Sequence, residues 1–260
     1  MGHIHLGTLP KSKKWRDVVG EVTEGAPDRH VVAASAIAAE KEFLAAADDP
    51  VFVEAVRLLL AIPYAARSED FAAALREADL QISGAPGVME IVAASMARLD
   101  EVGRERGRPS DLGELASRAL ARTLTDCISS DLPGLFAATA EDVRLSARGL
   151  SYSKGVAYLT RAYFGSLVGS VLSYWLDRAL PLHIGETKRF DSVSRRSAFD
   201  NALQQYTTEA TRIIQEFAGG WYGKTLHEKG EITTNDALIF GAVSLKKINA
   251  ELRERWVQDA

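Results

Sequence analysis

The sequence predicts an all-α protein, a multi-helix bundle preceded by a short extended N-terminal arm. Three observations carry that prediction. Apolar residues recur at helical spacing through most of the 260-residue chain, the period of a helix with one buried face. The recurring segments open on Ser, Thr or Asp and close on Gly or Pro, the residues that cap and stop helices. Strand signals are confined to "HIHLG" near the start and to "GEIT", which is too short to pair.

Taken in order, the start "MGHIHLGTLPKSKKW" lacks the apolar stretch of a secretory signal, and Leu6 stands where a myristoylation site needs Ser or Thr. It reads as an arm, with Lys11, Lys13 and Lys14 in a solvated turn before a helix at Trp15. "DRHVVAASAIAAEKEFLAAADD" sets Val32, Ala36, Ala39, Phe43 and Ala46 along one helical face. Asp49 then caps a helix with Pro50 at its first position, and Pro63 ends or kinks it. Ser68 is expected to cap "EDFAAALREADL", and "VMEIVAASMARLDEVGRERG" stops at Gly107 and Pro109. Ser110 caps a helix running through Ile128, and Asp131 is expected to cap another reaching Arg148.

Texture changes near residue 150. Six aromatic residues precede it and fourteen follow, and the acidic excess disappears. Two helical lobes are therefore expected, 1–150 alanine-rich and 151–260 aromatic-rich with longer helices. The second lobe is read as helices over 153–180 and 192–217, the latter ended by Gly219 and Gly220, and a last helix from Thr233. That last helix opens with a Thr233/Asp236 capping box and carries Leu238, Leu245, Ile248 and Leu252 on one face.

Function is less legible. The octet "AGGWYGKT" at 218–225 matches a relaxed phosphate-loop pattern, which would make Lys224 and Thr225 nucleotide ligands. A phosphate loop follows a strand and opens a helix. Here a helical period precedes the octet and none follows it, so it reads as a helix C-terminus that presents Trp221 and Tyr222 on a glycine turn. His3 and His5 share one side of an extended segment, yet nothing adjacent supplies a third ligand, so no metal and no other cofactor is expected. The lone Cys127 excludes an internal disulfide framework and fits a buried thiol in a cytoplasmic protein.

Gly165, Gly169 and Ser173 form a small-residue strip at four-residue intervals, suited to close helix approach. The uncharged run 162–176 around it has fifteen residues, about 22 Å of helix against a roughly 30 Å hydrocarbon core. Arg178, Lys188, Arg189, Arg195 and Arg196 make a basic segment beside Phe190 and Phe199. The net charge of −4 gives it no overall support.

No catalytic constellation is complete in the sequence. The expected function is therefore a non-enzymatic interaction or assembly subunit of a cytoplasmic multi-protein complex. Trp221, Tyr222, Trp256 and the strip at Gly165, Gly169 and Ser173 are its contact candidates, toward a protein partner or a second copy. Two other classes stand beside it: nucleic-acid binding through 178–196, and a helical effector that engages membranes through 162–176. Nucleotide binding through 218–225 ranks behind them.

Overall fold

In this computed structural model, which describes residues 11–105, 110–133 and 138–259 with side chains through Glu254, helix follows helix. The first half contains α1 (Lys13–Glu24), α2 (Asp28–Ala38), α3 (Glu40–Ala46), α4 (Pro50–Ala65), α5 (Phe71–Glu77), α6 (Val88–Glu105) and α7 (Asp111–Ser129). Then come α8 (Ala140–Gly149), α9 (Ser153–Leu176), a 3-10 turn (Leu180–His183), α10 (Val193–Ala210), α11 (Arg212–Lys229) and α12 (Thr234–Asp259). The all-α class holds among the described residues, where Ile184 and Phe190 form an isolated bridge and no strand occurs. The N-terminal arm lies outside them.

Several helix starts are the ones the sequence marks. The Asp49 carboxylate accepts from the Val51 and Phe52 amides at 2.9 and 3.0 Å. Ser110 accepts from Gly113 at 2.7 Å. Thr233 and Asp236 form the reciprocal box, at 3.1 and 3.2 Å. Each satisfies amides that the first helical turn leaves without partners.

Other boundaries differ. Asp70, not Ser68, caps α5, accepting from Ala73 at 2.8 Å. Thr139, not Asp131, caps α8, through a box with Asp142. Pro63 stays inside α4, which runs on to Ala65. The alanine-rich segment divides at Ala39 into α2 and α3, and the segment expected to be helical to residue 180 ends its α-helix at Leu176. The helix expected over 192–217 divides at Thr211, and its second part, α11, continues through the glycines to Lys229, where Gly230 at φ 75° ends it.

Two helices lie innermost. α4 packs on α6, α7, α8 and α12, and α9 packs on α7, α10 and α11. Phe164 joins the two sets, with its ring 6.4 Å from Phe52 and 6.2 Å from Phe240. The buried apolar residues form one cluster from Trp15 to Leu252, so the segments on either side of residue 150 share a core.

Two carboxylates tie distant helices together. Glu54, buried on α4, accepts from Arg57 at 2.8 and 2.7 Å and from Arg98 of α6 at 3.1 Å. Arg57 goes on to the Ala78 carbonyl at 2.9 Å and to Asp79 at 3.3 Å, which fixes the end of α5. Glu40 begins α3 and accepts from Lys14 of α1 at 3.2 Å and from Asn249 and Arg253 of α12 at 3.2 and 3.1 Å.

Candidate functional site

The octet at 218–225 lies inside α11. Its backbone amides belong to the helical ladder, where a phosphate loop would turn them toward a ligand. The glycine turn expected there is absent, and the reason is packing. Gly219 faces Ser153, the first residue of α9: a Cβ there would come within 2.5 Å of the Ser153 carbonyl oxygen. Glycine serves close helix approach here, not helix termination.

The aromatic pair is likewise repositioned. Tyr222 is buried and donates from its hydroxyl to the Leu60 carbonyl of α4 at 3.3 Å. Burial pushes its phenol well above the usual range. Trp221 is half-buried against Phe240 of α12, with ring centroids 4.6 Å apart. Phe217, one turn earlier, meets the same ring at 5.7 Å, and Lys247 covers Phe217 at 5.4 Å. Thr225 is buried and bonds to the Trp221 carbonyl at 2.9 Å, while Lys224 is exposed and 3.9 Å from Glu228.

The same helix, α12, also exposes apolar residues. Ile239 is 45% exposed and Val243 40% exposed, one helical turn apart. Lys246 and Lys247 follow on the exposed side of the same helix. Of the leucine face expected on this helix, Leu245, Ile248 and Leu252 are buried, while Leu238 is 40% exposed. The side chain of Trp256 lies outside the described residues.

The small-residue strip is occupied from within the chain. Gly165 faces the Thr211 hydroxyl and Gly169 the Thr207 hydroxyl, each 3.4 Å from the position of a Cβ, and Ser173 is half-buried. α10 and the start of α11 therefore cover the face proposed for a partner.

Most of the basic segment holds the fold together. Arg189 donates to the Ala26 carbonyl and to Asp28, each at 2.6 Å, and so anchors the segment to the α1–α2 turn. Arg196 pairs with Asp177 at 2.9 Å and Asp200 at 3.1 Å. Arg178 stacks over Tyr174 at 3.7 Å and Trp175 at 4.4 Å. Lys188 bonds to the Leu182 carbonyl at 2.7 Å. Arg195 is exposed and joins Lys188 and Arg189 at a cleft of about 350 Å³ that also contains Asp28 and Asp191.

His3 and His5 lie outside the described residues, among which no group of three His, Cys, Asp or Glu is placed to hold a metal ion. Cys127 is buried near the end of α7, and burial, helped by Asp126, pushes its thiol up to about 11. At neutral pH it is a protonated thiol, a poor nucleophile. Among the described residues no helix is long and apolar enough to cross a membrane.

Nothing local in the sequence sets Ile239 and Val243 apart from core residues of the same helix. Their exposure follows from the face that α12 turns to α11, where Phe240 meets Phe217 and Trp221. Among known proteins no family model, no curated protein and no solved structure matches the chain.

Proposed function

We propose that the protein is a non-enzymatic helical subunit of a multi-protein complex, and that it docks its partner through the outer face of α12 beside Trp221. One observation carries the reading: Ile239 and Val243 stand exposed one turn apart on α12, the helix whose Phe240 packs against the half-buried Phe217 and Trp221. Exposed branched residues beside aromatic ones make the kind of patch that protein partners cover. Lys246 and Lys247, exposed on the same helix, add positive charge on its C-terminal side. The partner that fits is a protein helix with an apolar stripe and acidic flanks. The compartment proposed is the cytoplasm, on the strength of the single cysteine.

Purification from the native cell, followed by mass measurement of the intact assembly, tests this. The wild type is expected above the monomer mass. The Ile239→Asp/Val243→Asp double variant is expected to be a monomer, with association weakened by about tenfold or more. Lys224→Ala is expected to keep the assembly. A strictly monomeric wild type, or an assembly indifferent to the double variant, contradicts the proposal. A wild type of twice the chain mass identifies the partner as a second copy.

Nucleic-acid binding through 178–196 remains a second reading, favoured by the placement of Lys188, Arg189 and Arg195 at one cleft. It requires a mobility shift that weakens steeply with salt.

A further inference from the structure

The interruption between α10 and α11 builds a polar groove that the docking face does not use. The threonines on either side return their hydroxyls to the backbone. Thr207 and Thr208 donate to the Gln204 carbonyl at 3.1 and 2.7 Å, and Thr211 donates to the Thr207 carbonyl at 2.9 Å. Such back-bonding bends helices. At the bend, the Thr208 carbonyl accepts from Arg161 of α9 at 3.1 Å, and the same guanidinium donates to Gln215 of α11 at 2.9 Å. Arg161 thereby bridges the junction.

The groove beside it encloses about 340 Å³ between α7, α9 and α10, within the range of sites for small molecules. Ala162 and Gly165 line it with almost no side chain. Tyr158, Ser166, Gln204 and Thr208 also line it; the Gln204 amide nitrogen donates to the Thr208 hydroxyl at 3.4 Å, which leaves the side-chain carbonyl oxygen of Gln204 as an acceptor. Two guanidiniums, Arg122 and Arg161, face a single carboxylate, Asp126. Arg122 and Asp126 are only 3.6 Å apart at their closest atoms and both are largely exposed, so a ligand can compete for Arg122.

An excess of guanidinium selects an anion, and arginine forks match phosphate oxygens. Hydroxyls and an amide, in place of aromatic or aliphatic walls, select a ligand that carries hydroxyls of its own. We propose that this groove binds a phosphorylated sugar, its phosphate between Arg122 and Arg161 and its hydroxyls toward Ser166, Gln204 and Thr208.

Titration calorimetry with ribose 5-phosphate, glucose 6-phosphate, inorganic phosphate and ribose tests the assignment. At least one of the two sugar phosphates is expected to bind with a dissociation constant of about 1 mM or tighter. Inorganic phosphate should bind at least about tenfold more weakly, and ribose still less, because each lacks one set of contacts. Ser166→Leu fills the groove and breaks no bond that supports the fold, and it should weaken binding by about tenfold or more. Arg161→Met should do the same, with circular dichroism confirming that each variant is folded. The assignment is overturned if neither sugar phosphate binds the wild type, if folded Ser166→Leu binds as the wild type does, or if inorganic phosphate binds as tightly as both sugar phosphates.

Discussion

Replacing Glu54 with alanine lowers the stability of the protein by about 3 kcal/mol, the scale of breaking a buried ion pair from one side. The carboxylate is 5% exposed and serves two arginines on two helices. Its removal leaves Arg57, itself mostly buried, with the Ala78 carbonyl and the more exposed Asp79. Glu101→Ala removes the exposed partner of Arg98 and should change stability by less than about 0.5 kcal/mol. Urea midpoints of the two variants check the contrast.

The same carboxylate makes stability depend on acid. Burial alone would raise the Glu54 pKa, but the bonds and charges of Arg57 and Arg98 outweigh it and hold the group below the ordinary range. At Glu40 burial is likewise outweighed, by Lys14, Arg253 and Asn249, and at Asp236 by Lys229 and Thr233. A depressed folded pKa contributes stability that is fully present above the unfolded value, about 4 for these groups. It is lost as pH falls from there through the folded value. Stability should therefore decline below about pH 4.5, and Glu54→Gln should make that decline shallower.

Gly219→Ala should cost about 2–3 kcal/mol, because the new methyl meets the backbone of Ser153 at the start of α9, where neither helix can yield without repacking the core. Gly220→Ala and Gly223→Ala should have the opposite sign. Both positions are exposed, and a Cβ at either meets nothing within 4 Å. Each substitution should stabilise α11 by up to about 1 kcal/mol through helix propensity alone. Thermal midpoints of the three variants separate packing from propensity within one short segment. A phosphate-binding loop would show no such division.

What could be read from the sequence divides along the same line. Asp49-Pro50, Ser110 and Thr233/Asp236 were legible because a cap bonds to residues two or three positions away. The role of Gly219 was not, because Ser153 stands on another helix, and the bare composition "AGGWYG" resembles a stop. Pairs remote in sequence left no local trace for the same reason: Glu40 with Asn249, Arg161 with Gln215, Arg189 with Asp28. The candidate interface was half legible. Trp221 stands out by type, but the exposure of Ile239 and Val243 was set only when α12 turned Phe240 toward α11. The structural bonds of the basic segment were hidden for a related reason. Charge is conspicuous in a sequence, whereas the carbonyls of Glu21 and Ala26 that Arg189 bonds to are not.

The docking face is tested most directly by placing a photocrosslinking amino acid at Val243 in the living native cell, with Glu141 of α8, exposed and on a helix that packs against α4 and α7, as the control position. One discrete protein adduct is expected from position 243 and not from position 141, lost when Ile239→Asp is added. An identical adduct pattern from both positions, or no adduct from position 243, contradicts it.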